Sequence, residues 1–295
     1  MAASVLFDAP GPATRMRHRI YSVVAAVLLA AALAYVVLKL NNDGQFEYEL
    51  WEAFVTPDYI RALLVDGLIV TVTMAVFAII GAVIFGFLFG VAKMSDHAFI
   101  RWPAWVVVEF FRAMPVLLLM IFLFYMWFIS VQGGFLWVDE RSGFFSVVIA
   151  LTCYNGAVLA EVVRAGVAAV PKGQAEAAYA IGMRKTQVMT LILLPQAVKV
   201  MLPAIISQMV VALKDTSLGY AVAAPGLTKV GQAIYKEQHN QIPTAIVLAV
   251  LYVGLNLLLT LLATWIQRRF VGEKQIDVGV AAAGIAGTGG GAGAP

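Results

Sequence analysis

Leu63–Val91 reads LLVDGLIVTVTMAVFAIIGAVIFGFLFGV, an apolar run whose only charged residue is Asp66. A membrane-spanning helix needs about 20 mostly apolar residues, so this run crosses a bilayer with length left for tilt. Further apolar runs flank it at Ile20–Leu38, Trp105–Ile129, Phe144–Val163, Val188–Leu213 and Thr244–Ile266. Across 295 residues the chain is 62% hydrophobic and 13% charged, with a mean hydropathy of +0.88. A soluble domain carries about a quarter charged residues, and one buried core cannot use so large an apolar excess. The expected fold is all-α, a polytopic bundle of about six transmembrane helices.

Charge sets the orientation. Arg15, Arg17, His18 and Arg19 precede the first run. Lys93, His97 and Arg101 follow the second, Arg164, Lys172, Arg184 and Lys185 follow the fourth, and Arg268 and Arg269 close the sixth. Cytoplasmic loops concentrate Lys and Arg, which places both termini inside. Lys199, Lys214, Lys229 and Lys236 fall outside that pattern. The net charge of +3 is small and belongs to these loops, not to a nucleic-acid surface.

Residues 1–19 read as a disordered cytoplasmic start and 20–40 as an N-terminal helix. That helix is expected to be retained, although Ala32-Leu33-Ala34 offers the small residues of a signal-peptide site. Residues 41–59 form an external linker, where Phe46, Leu50, Trp51, Phe54 and Val55 share one face of a short interfacial helix, unless the segment is a simple loop. The membrane domain covers 60–270. Within it Val131–Gly143 is an outside loop, Lys214–Pro243 lies outside or partly re-enters, and Pro195 and Pro203 are expected kinks. The Gly/Ala-rich tail 271–295 cannot bury enough apolar surface to order itself. Gly86 and Gly90, spaced G-x-x-x-G, and Gly81 read as helix-packing positions. The single cysteine, Cys153, has no disulfide partner and is read as a small packing residue.

The inside loop at 165–187 is the most informative segment. From Gln174 to Pro195 it reads QAEAAYAIGMRKTQVMTLILLP, preceded by Val170-Pro171-Lys172-Gly173. Pro171 suits a helix start, Ala, Glu and Gln favour the helix, and Gly182 suits its end. Glu176-Ala177-Ala178, three residues, Gly182, nine residues and Ile192-x-Leu194-Pro195 resemble the EAA signature of ABC importer permeases. Three other stretches resemble the polar amino-acid branch of that family. They are Phe111-Arg112-Ala113-Met114-Pro115-Val116-Leu117-Leu118, Tyr154-Asn155-Gly156-Ala157 with Glu161, Arg164 and Gly166, and Lys214-Asp215-Thr216-Ser217-Leu218. The first two carry substitutions and the third matches in full.

Over residues 60–270 the chain thus resembles the permease subunit of polar amino-acid (histidine/glutamine/glutamate) importers, and is similar to actinobacterial glutamate permease subunits. The resemblance implies a type I importer core of five spans plus the N-terminal helix. It implies a cytoplasmic coupling helix carrying Glu176, Ala177, Ala178 and Gly182, docked on an ATPase dimer. A second permease subunit, a different chain, an external solute-binding protein and an amino-acid substrate, glutamate or glutamine, are the remaining implied partners. ATP and Mg²⁺ would be used by the partner ATPase and no cofactor bound here.

Ionisable residues within spans are functional candidates. Glu109 and Arg112, and again Glu161 and Arg164, stand i, i+3 near the inner ends of their spans, where each pair shares a helix face. Together they suggest a polar layer above the coupling helix. At the outer end of the fifth span, Lys214 and Asp215 offer a cation and an acceptor to a zwitterion, with Thr216 and Ser217 adding hydroxyls. Adjacent helical residues point about 100° apart, so a role in holding the helix end stays open. Asn155 and Gln208 either line the path or join helices. The chain has no G-x-x-x-x-G-K-[S/T], H-E-x-x-H or G-x-S-x-G, and His18, His97 and His239 lie in separate loops. It reads as a transport subunit and not an enzyme. The alternative is an ion-gradient-driven carrier, which would leave the loop at Glu176 unexplained.

Overall fold

The computed structural model describes residues 12–130 and 142–271. The outside loop expected at Val131–Gly143 and the tail expected at 271–295 therefore lie almost wholly outside the described residues. The elements, in order, are α1 (Pro12–Asn42), α2 (Tyr48–Trp51), α3 (Pro57–Arg61), α4 (Val70–Lys93), α5 (Ala98–Ala113), α6 (Val116–Ser130) and α7 (Ser142–Ala168). They continue with α8 (Lys172–Ala180), α9 (Lys185–Gln187), α10 (Leu194–Asp215), α11 (Leu227–Gln238) and α12 (Gln241–Val271). Two π-helical stretches, Ala62–Ile69 and Val188–Leu193, join α3 to α4 and α9 to α10. Helix already starts at Pro12, so residues 12–19, expected without order, are the first turns of α1.

Among the described residues, five continuous stretches are long and apolar enough to cross a membrane: Met16–Asn42, Pro57–Lys93, Ser142–Ala168, Lys185–Val222 and Gln241–Ile266. The sixth differs from expectation. Trp105–Ile129 is not one rod. It is α5 and α6, bent by 102° at Met114-Pro115. Proline has no N–H and disfavours helical backbone in the residue before it, and Met114 is accordingly extended, with φ −83° and ψ 128°. The kinks expected at Pro195 and Pro203 resolve differently. The π-helical turn Val188–Leu193 lies directly upstream of Pro195, while Pro203 sits inside a continuous α10.

The core forms where α7 lies along α4, with α5, α6 and α10 packed on α7. Small residues set that approach. A Cβ at Gly86 would stand 2.6 Å from Leu159 Cβ, one at Gly90 would stand 2.8 Å from Val163 Cβ, and one at Gly81 would stand 2.5 Å from Thr152 Oγ1. Ala78, Val147, Ala150, Leu151 and Met120 fill one half of the interface, and Ala82, Leu159, Val163, Ala197 and Met201 fill the other. Asn155, buried at 1% exposure, accepts a 2.6 Å hydrogen bond from Gln208 Nε2 and so ties α7 to α10.

One end of the bundle is capped by Ala53, Leu63, Leu227 and Ile234. There the Leu227 N–H donates to Thr71 Oγ1 (2.9 Å) and Asn240 Nδ2 donates to Leu50 O (2.8 Å). The linker 41–59 and the segment 216–240 thus share this end. The loop after Lys93 and the loop carrying α8 share the other, separated by the 24 residues of α4, about 36 Å of helix. Helix α1 is exposed from Met16 to Lys39 and packs on none of this core.

Substituting leucine for Gly86 or Gly90 is expected to destabilise the chain by about 1–3 kcal/mol through overpacking. Thermal unfolding of the purified protein in detergent reads this as a lower Tm. Gly254→Ala, inside α12 where a Cβ meets no atom within 4 Å, should not lower the Tm and should raise it slightly, because Ala favours helix over Gly.

Candidate functional site: the inner polar layer and its cytoplasmic helix

Helix α8 is short and sits on the surface. Pro171, in extended conformation, precedes it, and the Gln174 N–H reaches back to Pro171 O (3.0 Å). At its other end Met183 N donates to Ala178 O (3.1 Å) and Gly182 N donates to Tyr179 O (2.9 Å). These two bonds form the Schellman closure of a helix. It requires a left-handed residue, which Gly182 supplies at φ +83°. Ala178 is buried against the bundle at 5% exposure, whereas Glu176 and Ala177 face outward. Tyr179 (48% exposed) and Ile181 (80% exposed) add apolar area to the outward side. Sequence reasoning did not single out these two, although an isoleucine beside a helix stop in a polar loop is itself an unusual pattern.

The four charged residues expected near the inner ends of their spans do meet. Glu109 Oε2 lies 3.2 Å from Arg112 Nη1, and Glu161 Oε2 lies 2.9 Å from Arg164 Nε. Their connection comes from a residue that the sequence presented only as a loop cation. Lys93, the last residue of α4, places Nζ 3.1 Å from Glu109 Oε1 and in contact with Glu161 Oε1. Its side chain is 6% exposed. One ammonium therefore joins α4, α5 and α7, with Arg101, Trp102 and Trp105 at the rim of an open cleft of about 420 Å³ beside it.

Three residues beyond Lys93, Asp96 pairs with Lys185 at the start of α9. Lys185 Nζ also reaches Met94 O (3.5 Å). The hydrogen bond from Lys185 holds the exposed Asp96 carboxyl below its ordinary range. Its charge, and the contact, are thus retained at neutral pH and lost only as pH falls through that lowered value.

At the opposite end, Thr216 Oγ1 donates to Leu213 O (2.6 Å) and Ser217 Oγ donates to Lys214 O (2.8 Å). Both hydroxyls are thereby turned onto the carbonyls that end α10. Lys214 is exposed and Asp215 half-buried. Asn155 stands apart from this group, held by Gln208. A larger apolar cavity of about 1000 Å³ opens near this end, between Val70, Phe77, Phe144 and Lys229. Among the described residues no group of three or more His, Cys, Asp or Glu side chains is placed to hold a metal ion.

Residues 82–272 match the family described as binding-protein-dependent transport system inner membrane component. The glutamate transport system permease protein GluD of Corynebacterium glutamicum is 40% identical over 230 residues, which is 78% of this chain and 83% of that protein. The probable glutamine ABC transporter permease protein GlnP of Bacillus subtilis (strain 168) is 32% identical, over 70% of this chain and 94% of its own length. Among solved structures, the crystal structure of an amino acid ABC transporter with histidines superposes with a TM-score of 0.64 at 27% identity, covering 72% of this chain and 95% of the other. The matched segment contains α5 to α12 and the second half of α4, with the whole inner polar layer and α8. The chain is therefore a multi-pass plasma-membrane protein that belongs to the family of binding-protein-dependent transport system inner membrane components.

Proposed function

We propose that the chain is the membrane-spanning permease subunit of an ATP-driven importer of polar amino acids, with glutamate or glutamine as substrate. The observation that carries this reading is α8. It is a closed, outward-facing helix with Glu176-Ala177 on its free side, in a chain of this family whose relatives include a glutamate permease and a glutamine permease.

In this reading α8 is the coupling helix. A separate ATPase dimer docks on Glu176, Ala177 and the apolar step of Tyr179 and Ile181, and binds the ATP and Mg²⁺ that this chain does not. Gly182 holds the exit angle of the helix. An external binding protein delivers the solute to a pathway shared with a second, different permease subunit. Closure of the ATPase pair draws the cytoplasmic helices together and opens the bundle outward. ATP and the loaded binding protein bias this equilibrium only through their differential affinity for its two states, and several kcal/mol are needed to invert it.

The inner polar layer then acts as the hinge line between α8 and the spans. Lys214 and Asp215 provide the charges at the outer end, with Thr216 and Ser217 stiffening the end of α10 beneath them. Asn155 joins helices through Gln208. An ion-gradient-driven carrier is not favoured, because such a carrier has no use for a preformed docking helix.

Reconstituted with its ATPase, partner permease and binding protein, the assembly should import glutamate or glutamine only with ATP, and collapse of ion gradients should leave uptake intact. Glu176→Lys or Gly182→Val should cut uptake about tenfold or more. Uptake that persists without ATP would overturn the reading. Glu161→Arg sets a third cation against Lys93 and Arg164, and uptake should again fall about tenfold or more; unchanged uptake would remove the layer from the mechanism.

A further inference from the structure

We propose that Lys93 is a positioning residue and that, with Asp96, it forms a two-ended latch carrying displacement of the α8 loop into the membrane bundle. The proposal rests on the importer reading above and assigns a coupling route within it.

The two ends of the latch are three residues apart, joined by the turn that ends α4. Met94 N donates to Val91 O (3.0 Å) and Ser95 N donates to Ala92 O (3.1 Å), so the turn continues the end of α4 without slack. Three residues of chain reach about 10 Å at full stretch; that reach caps how far Asp96 can move without drawing Lys93 with it. On the loop side, α8 ends in the closure at Gly182, and the next turn is fixed where Arg184 N donates to Gln187 Oε1 (2.8 Å). Lys185, between them, is the residue that holds Asp96.

On the bundle side the charges are unequal in their dependence on the layer. If Lys93 withdraws, Glu109 keeps Arg112 and Glu161 keeps Arg164. Lys93 keeps nothing, because its only carboxylate partners among the described residues are those two, and its side chain is 6% exposed. A buried charge stripped of its partners is strongly unfavourable. The least costly response to a shift of the latch is therefore for α5 and α7, which carry the two carboxylates, to follow the ammonium.

The exposed Lys185–Asp96 contact contributes little to stability, as surface ion pairs do. Its role is to fix register between two loops. Breaking it should alter coupling far more than folding, which a purely structural contact would not do.

The test uses the complete reconstituted assembly and measures ATP hydrolysed per solute imported. Asp96→Lys, which sets two ammonium groups face to face, should raise that ratio about tenfold with the Tm unchanged. The exchanged pair Asp96→Lys with Lys185→Asp should restore the wild-type ratio. Lys93→Gln should raise the ratio similarly, and Lys93→Arg should recover it. A wild-type ratio in Asp96→Lys, or an exchanged pair that folds but stays uncoupled, would overturn the latch. If Lys93→Gln does not assemble, the exposed pair decides the question by itself. A wild-type assembly whose uptake ignores ATP would overturn the importer reading, and the latch with it.

Discussion

The close approach of α4 and α7 is the constraint on which the rest of the structure depends. No side chain fits at Gly86 or Gly90, where backbone and β-carbons of the opposite helix already occupy the space. In a bilayer, lipid tails are as apolar as leucine, so helices associate through van der Waals packing and interhelical hydrogen bonds, and small residues permit both. With α4 and α7 in register, α5, α6 and α10 find a fixed surface on α7. That register also brings Lys93 level with Glu161, residues 68 apart in the chain. The inner polar layer is thus a product of the glycine seam as much as of its own charges.

Much of the fold is legible in the sequence because hydropathy reports the solvent directly. A spanning segment must satisfy its own backbone, which leaves helix as the available structure for such runs. The third span shows the limit. The run from Trp105 to Ile129 is apolar throughout except for Glu109 and Arg112, so hydropathy cannot register the break. The signal is a single residue, Pro115, which acts on the backbone of Met114 and not on apolarity. Sequence reading treated other prolines as kinks and missed the one that turns the chain by 102°.

The candidate site divides along the same line. The i, i+3 pairs at Glu109 and Glu161 are local and could be named from spacing, as could the stop at Gly182. Lys93 could not, since its partners lie 16 and 68 residues away and only the packed bundle brings them within reach. Lys185 and Asp96, 89 residues apart, belong to two loops whose meeting chain order does not reveal. Thr216 and Ser217 present the converse case. Their hydroxyls suggest ligand donors when read as composition, yet in place they are spent on Leu213 and Lys214 carbonyls.

The local closure of α8 has a consequence for association. At nine residues the helix is shorter than isolated peptides need to stay wound in water, so a protein meeting it as a floppy loop would bear the ordering entropy at each encounter. The bonds at Met183 and Gly182, with Ala178 seated on the bundle, remove that burden before contact. In the docking proposed above, recognition would begin from an already ordered surface that presents Tyr179 and Ile181, and preorganisation of this kind raises affinity without any added contact.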